Sequence, residues 1–332
     1  MIKKIFAISA LLVALAGCKS EPRLVIIHTN DTHSHFEPLR TGPQAGQGGV
    51  IERAAFVDSI RNVYGTDRVL LLHAGDFSQG TSYFTELKGR LEPAVINDMR
   101  YDCVALGNHE FDNDIEDLTE RLAMLDNTSV VSANIDVSQF DLANYVTPYA
   151  ILERGGMKIG IIGLEPDLST NVSATVSSRF QQLDNVEVTN RWAGHLHFDE
   201  KCDMIILLSH LGYDNDQALI PHTSHIDLVV GGHSHTFVDD FIYVADRDGR
   251  KVPVITDGNS QNLETNQKQT MAYIIRKEET CLECGESLNG RKGKKFCCLS
   301  CKNSYNNRKY QEIRKYKAEI INRLSRNYEI LE

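Results

Sequence analysis

The chain is 332 residues long, 42% of them hydrophobic, with a formal net charge of -10. That length holds one large domain and a small one, and the apolar content suffices for a real core, which excludes a wholly disordered chain. The net charge conceals a change of sign: residues 1–270 carry 21 Lys and Arg against 37 Asp and Glu, whereas residues 271–332 carry 14 against 8, as two units of different history would.

At the N-terminus, Lys3 and Lys4 precede an apolar run from Ile5 to Ala16, closed by Leu15-Ala16-Gly17-Cys18. A run of 12 residues is too short to span a bilayer, so residues 1–17 read as a cleaved signal peptide. The Leu-Ala-Gly-Cys ending resembles a bacterial lipoprotein box, which implies that Cys18 is acylated and tethers the chain at the cell envelope, in the periplasm or at the outer membrane. The alternative is an ordinary apolar N-terminus with a chance cysteine. No later run is long enough for a transmembrane helix, so the expected body is soluble and tethered.

From residue 24 onward, short apolar runs alternate with amphipathic stretches. Leu24–Ile27, Val69–Leu72, Cys103–Leu106, Val130–Ala133, Ile159–Ile162, Met204–Leu208, Leu228–Val230 and Val252–Ile255 are predicted strands, mostly bounded by Gly, Asp or Asn. Val50–Val63, Leu91–Met99 and Ile115–Leu125 carry apolar residues at three- and four-residue spacings and are predicted helices. This alternation predicts an α/β domain over 24–258. Residues 259–270 are polar and read as a linker or junction, and 271–332 as a separate basic tail.

Polar motifs follow the predicted strands. Asp31-Thr32-His33 follows the first, Gly75-Asp76 the second, and Gly107-Asn108-His109-Glu110-Phe111-Asp112 the third. Ser209-His210 follows Met204–Leu208, and Gly232-His233-Ser234-His235 follows Leu228–Val230. Carboxyl ends of strands are where α/β sheets place ligands, and loops there converge although far apart in sequence. Carboxylate, imidazole and amide oxygen together suit divalent metals. Two such metals about 3.5–4 Å apart can acidify a water and clamp a phosphoryl group. No G-x-S-x-G motif points to a serine nucleophile instead.

In order and spelling these motifs resemble those of the calcineurin-like metallophosphoesterases, and Gly-Asn-His-Glu-Phe-Asp resembles their 5'-nucleotidase branch. His35-Phe36-Glu37-Pro38, the stretch 155–164 and Asp257-Gly258 match as well. The resemblance covers about 24–258 and implies a sandwich of two facing mixed sheets flanked by helices. It implies hydrolysis of phosphate monoesters, nucleotides foremost, with two divalent cations drawn from Zn, Mn, Co and Fe. Asp31, His33 and His235 would hold the first and Asn108, His210 and His233 the second, with Asp76 shared. His109 would protonate the leaving oxygen, and Asp112 would raise its pKa. In related exported nucleotidases the position of His235 is often Gln, and His has similar reach. His28, His35, His73, His195, His197, His222 and His225 are expected to be core, loop or surface residues. Cys103 and Cys202 are expected to be free thiols.

The tail reads differently. Cys281-Leu282-Glu283-Cys284-Gly285 has zinc-knuckle spacing, and Phe296-Cys297-Cys298-Leu299-Ser300-Cys301 resembles the second half of a treble-clef-like module. Cys281, Cys284, Cys297 and Cys301 are the expected ligands of one zinc, with Cys298 the alternative to Cys297. A disulfide cluster is the competing reading, because a signal peptide implies an oxidising compartment. The basic tail could also meet nucleic acid, and a tail-driven binding module beside an inactive phosphatase is the alternative function. Relatives of the resembled family continue beyond Asp257-Gly258 with a further strand and often a substrate-binding domain. Met271 is read instead as the head of the tail, which leaves the sheet short of an edge strand.

Overall fold

The computed structural model describes residues 24–38, 48–238, 240–258, 271–275 and 299–307. In chain order its strands are β1 (Leu24–Thr29), β2 (Val69–Ala74), β3 (Cys103–Ala105), β4 (Ser129–Val131), β5 (Ile135–Asp136), β6 (Val146–Thr147) and β7 (Tyr149–Arg154). There follow β8 (Met157–Leu164), β9 (Gln181–Gln182), β10 (Met204–Ser209), β11 (Leu228–Gly231), β12 (Ile242–Ala245), β13 (Lys251–Thr256) and β14 (Met271–Ile275). Each of the eight predicted apolar runs overlaps one of these strands, and the three predicted helices are found at Val50–Tyr64, Leu91–Met99 and Ile115–Leu122.

One sheet has the order β14-β1-β2-β3-β4-β6 and the other β12-β13-β11-β10-β8-β7. Strands β1, β2, β3, β4 and β6 run parallel, as do β8, β10, β11 and β13. Antiparallel strands β14, β12 and β7 occupy edges.

Period-two alternation stacks these sheets. Leu24, Ile26, Leu70 and Leu72 of the first sheet meet Ile159, Ile161, Ile206 and Leu208 of the second in one core between them. Val25, Ile27 and Leu71 point the other way, onto Val57, Ile96 and Leu118 of the three helices above. Ile162, Ile205 and Leu207 pack on Val188 and Leu196 of helix Asn185–Phe198, and on Leu219 of helix Tyr213–Leu219. The result is a helix–sheet–sheet–helix sandwich. Its central strands are buried on both faces, which is why they read as unbroken apolar runs. Each buried Leu or Ile contributes about 1.5–3 kcal/mol relative to an exposed one.

The edges depart from the sequence reading. β7 is partly exposed and β12 mostly exposed, and neither of their apolar stretches, Tyr149–Leu152 and Ile242–Ala245, is among the predicted strands. Met271–Ile275, read as the head of the tail, lies antiparallel to β1, with Ile275 opposite Leu24 and Met271 opposite His28. The first sheet is therefore not short of an edge strand there: the backbone of Met271–Ile275 pairs an edge of β1 that would otherwise carry unsatisfied amides and carbonyls. No helix among the described residues is long and apolar enough to cross a membrane. Residues 1–17, Cys18, the segment 259–270 and Cys281, Cys284, Cys297 and Cys298 lie outside the described residues. Cys301 is half-buried on a helix over 299–307.

Candidate dinuclear metal centre

The five motif loops leave β1, β2, β3, β10 and β11 at their carboxyl ends, and the stacked sheets bring those ends together. Asp31 Oδ1 lies 3.5 Å from His235 Nε2, 3.8 Å from His210 Nε2 and 3.9 Å from His33 Nε2. His33 Nε2 and His235 Nε2 are 3.0 Å apart. Asp76 Oδ2 is 3.0 Å from His210 Nε2. Three groups have ligand atoms all within 4.8 Å of one another: Asp31-His33-His235, His33-Asp76-His109 and Asp76-His210-His233. Asp76 belongs to two of them, grouped with His33 on one side and with His210 and His233 on the other, the place a shared carboxylate needs.

Local backbone shape produces this convergence. Asp31, His33, Asp76, His233 and His235 all have left-handed φ, at 48°, 46°, 54°, 71° and 52°. Such conformations cost residues with a Cβ about 1–3 kcal/mol each and persist only where the surroundings enforce them. Here backbone bonds between loops do so: Asp31 N donates to Gly75 O at 3.0 Å, and His33 N to Asp76 O at 3.1 Å. His233 N donates to both Asp31 carboxylate oxygens, at 3.1 and 3.0 Å.

Gly107 shows how close the packing is. Its φ of -124° suits any residue, but a Cβ there would lie 2.7 Å from His210 Nε2 and strike Asp76 Oδ1. Gly107→Ala is expected to lower metal affinity at least tenfold, with an overpacking cost of about 1–3 kcal/mol. Metal titration and thermal melting of the variant check this; wild-type affinity would contradict it.

Three further groups orient the ligands. Buried Glu110 accepts from Asp76 N at 2.9 Å, Gly107 N at 2.7 Å and Ser78 N at 2.9 Å, pinning the β2 and β3 loops to each other. Asn30 Nδ2 donates to Asp31 Oδ2 at 2.6 Å and to Gly258 O at 2.5 Å, while its Oδ1 accepts from Asp257 N at 3.0 Å. His210 Nδ1 donates to Ala74 O at 2.6 Å, which turns Nε2 toward Asp76 as the nitrogen that could ligate a cation. The sequence reading gave Glu110 and Asn30 no role. Glu110 sits inside the Gly107–Asp112 motif and Asn30 directly precedes Asp31-Thr32-His33, so closeness to a motif is their signal, whereas a carbonyl such as Ala74 O carries none.

The donor set fits metal. Asp31 and Asp76 are 0% and 2% exposed, and among the described residues their ion-pair partners are all histidines. Asn108 Oδ1 is buried without a hydrogen-bond partner, an oxygen lacking only a cation or donor. Burial opposes charge on Asp76, but His210 outweighs it and holds the carboxyl well below its usual range. Burial likewise opposes the His210 imidazolium, and Asp76 outweighs it, raising His210 to about 10. A cation would replace that proton, so metal uptake releases protons and weakens as pH falls.

His109 differs from the ligands. Its Nδ1 lies 2.8 Å from Asp112 Oδ2 and the side chains are 30% and 29% exposed, so the pair is open to substrate. Burial lowers the His109 pKa, but the Asp112 hydrogen bond and the charges of Asp76 and Asp112 raise it to about 9. If protonated His109 is the acid, activity falls as pH rises and His109 loses its proton. Asp112→Asn removes a raising contribution, so the alkaline limb of kcat/KM is expected to move to lower pH. A pH–rate profile checks this, and an unmoved limb would contradict it.

The other histidines lie elsewhere. His28 and His73 are buried, and burial lowers the first to about 3 and the second well below its usual value. His35 Nδ1 bonds His33 O at 2.9 Å, shaping the loop. His195 pairs with Asp199, and His197 stacks on His225. Cys103 and Cys202 form no disulfide.

Two facing mixed sheets with a cluster of Asp, His and Asn at their shared carboxyl edge define an α/β protein built around a candidate two-metal site. The family model for calcineurin-like phosphoesterases matches residues 24–237, and the chain belongs to that family. It is 35% identical over 264 residues to a snake venom 5'-nucleotidase of Crotalus adamanteus, covering 73% of this chain and 44% of that protein. It is 35% identical over 240 residues to a probable 5'-nucleotidase of Treponema pallidum, covering 69% of this chain and 40% of that protein. Among solved structures, a 5'-nucleotidase precursor from Thermus thermophilus superposes with a TM-score of 0.66 at 33% identity, covering 71% of this chain and 49% of that one. The chain thus spans less than half the length of these relatives.

Proposed function

We propose that the chain is a two-metal phosphoesterase that hydrolyses phosphate monoesters, nucleotides foremost. The observation that carries this is the placement of Asp76 between the Asp31-His33-His235 and His210-His233 groups, with the His109–Asp112 pair beside it. Likeness to 5'-nucleotidases at about a third identity supports a nucleotide as the ester.

Asp31, His33 and His235 would hold one cation, and Asn108, His210 and His233 the other, with Asp76 common to both. When bound, two divalent cations supply Lewis acidity toward the phosphoryl oxygens and the attacking water. His109 gives its Nε2 proton to the leaving oxygen as the phosphorus–oxygen bond breaks, and the products are an alcohol and phosphate. Asp112 accepts from Nδ1, which keeps the ring oriented and protonated. Ala74 O and Glu110 hold His210 and the loop amides in place before substrate arrives.

Phosphate release from p-nitrophenyl phosphate tests the proposal. Activity is expected with manganese, cobalt or zinc, to vanish on chelation and to return with metal; turnover that survives chelation would contradict it. The same proposal places the chain at the bacterial envelope through acylated Cys18, and labelled palmitate incorporation lost in Cys18→Ser checks that. A zinc held by Cys281, Cys284, Cys297 and Cys301 would be lost in Cys284→Ser without change in phosphatase activity.

A further inference from the structure

Three buried side chains from three different elements converge on the turn that carries Asp31 and His33. They are Arg53 of helix Val50–Tyr64, His73 of β2 and Glu92 of helix Leu91–Met99. We propose that they are positioning residues, which set this turn and thereby the affinity of the cation position formed by Asp31, His33 and His235. The inference rests on the two-metal reading and adds to it the residues that shape one of its two positions.

Each of the three bonds a different residue of the turn. His73 Nε2 lies 3.0 Å from Thr32 Oγ1. Glu92 Oε1 accepts from Ser34 Oγ. Arg53 Nη2 donates to His35 O at 3.2 Å. Thr32 sits between the two ligands, and Ser34 directly follows the second. The turn needs such support, because Asp31, His33 and Ser34 all have left-handed φ, at 48°, 46° and 53°, a region that residues with a Cβ enter at a cost. Backbone bonds to the loop after β2 hold its amides: Ser34 N donates to Phe77 O at 3.0 Å, as Asp31 N and His33 N do to Gly75 O and Asp76 O. The side chains of Thr32 and Ser34 and the carbonyl of His35 are held by His73, Glu92 and Arg53.

For the core alone, an apolar filling would serve better. All three side chains line one cavity of about 20 Å³, together with Phe36, Phe77 and Met99, and it has room for a single water. Arg53 Nε, His73 Nδ1 and Glu92 Oε2 are buried without a hydrogen-bond partner. Half-satisfied buried polar groups lower stability, and folds keep such departures at functional sites. Burial, foremost, lowers His73 well below its usual pKa, so its ring is neutral and adds no positive charge near the ligands. Among the described residues none of the three bonds Asn108, His210 or His233, so their influence falls on one cation position more than on the other.

Thr32→Val and Glu92→Leu test this, each removing one bond to the turn. Val has the shape of Thr without its hydroxyl, so the test does not depend on Glu92→Leu folding. Glu92→Gln keeps an acceptor for Ser34 and is the conservative control. Manganese titration of the full chain, followed by electron paramagnetic resonance, is expected to resolve two affinities in the wild type. In Thr32→Val and in Glu92→Leu one of them should weaken about tenfold, the usual effect of losing a group that orients a ligand, while the other stays within about twofold. Glu92→Gln should recover most of that loss. Crystals of Thr32→Val at limiting manganese should show a weakened anomalous peak among Asp31, His33 and His235 relative to the one among Asn108, His210 and His233. Unchanged affinities in both variants, or both positions weakening together, would overturn the positioning role while the two-metal reading stood. Wild-type protein that binds no manganese would remove the two-metal reading itself.

Discussion

Asp76→Asn is expected to strip both cations and to reduce turnover on the order of 10³-fold or more. Asn preserves the side-chain volume and tolerates the left-handed φ of 54° at this position, so the loss isolates charge from packing. Asp76 is 2% exposed and shares groups with His33 and His109 on one side and with His210 and His233 on the other. Its charge is also the main influence raising His210, so the variant loses a partner for the second position as well as the shared ligand. A neutral amide offers one weak oxygen where two cations need a common anion. Metal content after dialysis and phosphate release, measured on the same preparation, check both losses; full activity in the variant would end the two-metal account.

His109→Ala is expected to separate the two properties, keeping metal near wild-type content while lowering kcat about 10²- to 10⁴-fold, the usual worth of a positioned general acid. The geometry explains the separation. His109 is 30% exposed and its Nδ1 is engaged by Asp112, whereas His210 is fully buried against Asp76 and Ala74 O. Two features of His109 bear on the outcome. Its backbone amide bonds Asp76 Oδ1 at 3.0 Å, an interaction the alanine keeps. Its defect should also be smaller for p-nitrophenyl phosphate, whose leaving group needs no proton, than for an alkyl phosphate. Equal losses on the two esters, or loss of metal along with rate, would place His109 among the ligands instead.

Much of this was legible in sequence because the central strands are buried on both faces and so appear as unbroken apolar runs, each followed by its motif. Leu24–Ile27 ending in Asn30-Asp31 and Leu228–Val230 ending in Gly232-His233 are clear cases. Edge strands were less legible: β7 and β12 are short apolar stretches with no motif behind them, and Met271–Ile275 is separated from its partner β1 by most of the chain. Within the site, residue types and order pointed to the cluster, and the structure places His235 Nε2 3.0 Å from His33 Nε2 and 3.5 Å from Asp31 Oδ1. What sequence cannot spell is geometry that depends on the backbone. The left-handed turns at five clustered residues and the Glu110 clamp need neighbouring loops of a formed sheet, and the Ala74 carbonyl on His210 needs the two sheets stacked.

In the proposed arrangement one buried aspartate organises two cations, and anomalous diffraction from manganese-loaded crystals reads out both positions. Two peaks are expected, one among Asp31, His33 and His235 and the other among Asn108, His210 and His233, each in contact with Asp76. No peak at this sheet edge, or a single peak out of reach of Asp76, would contradict the account.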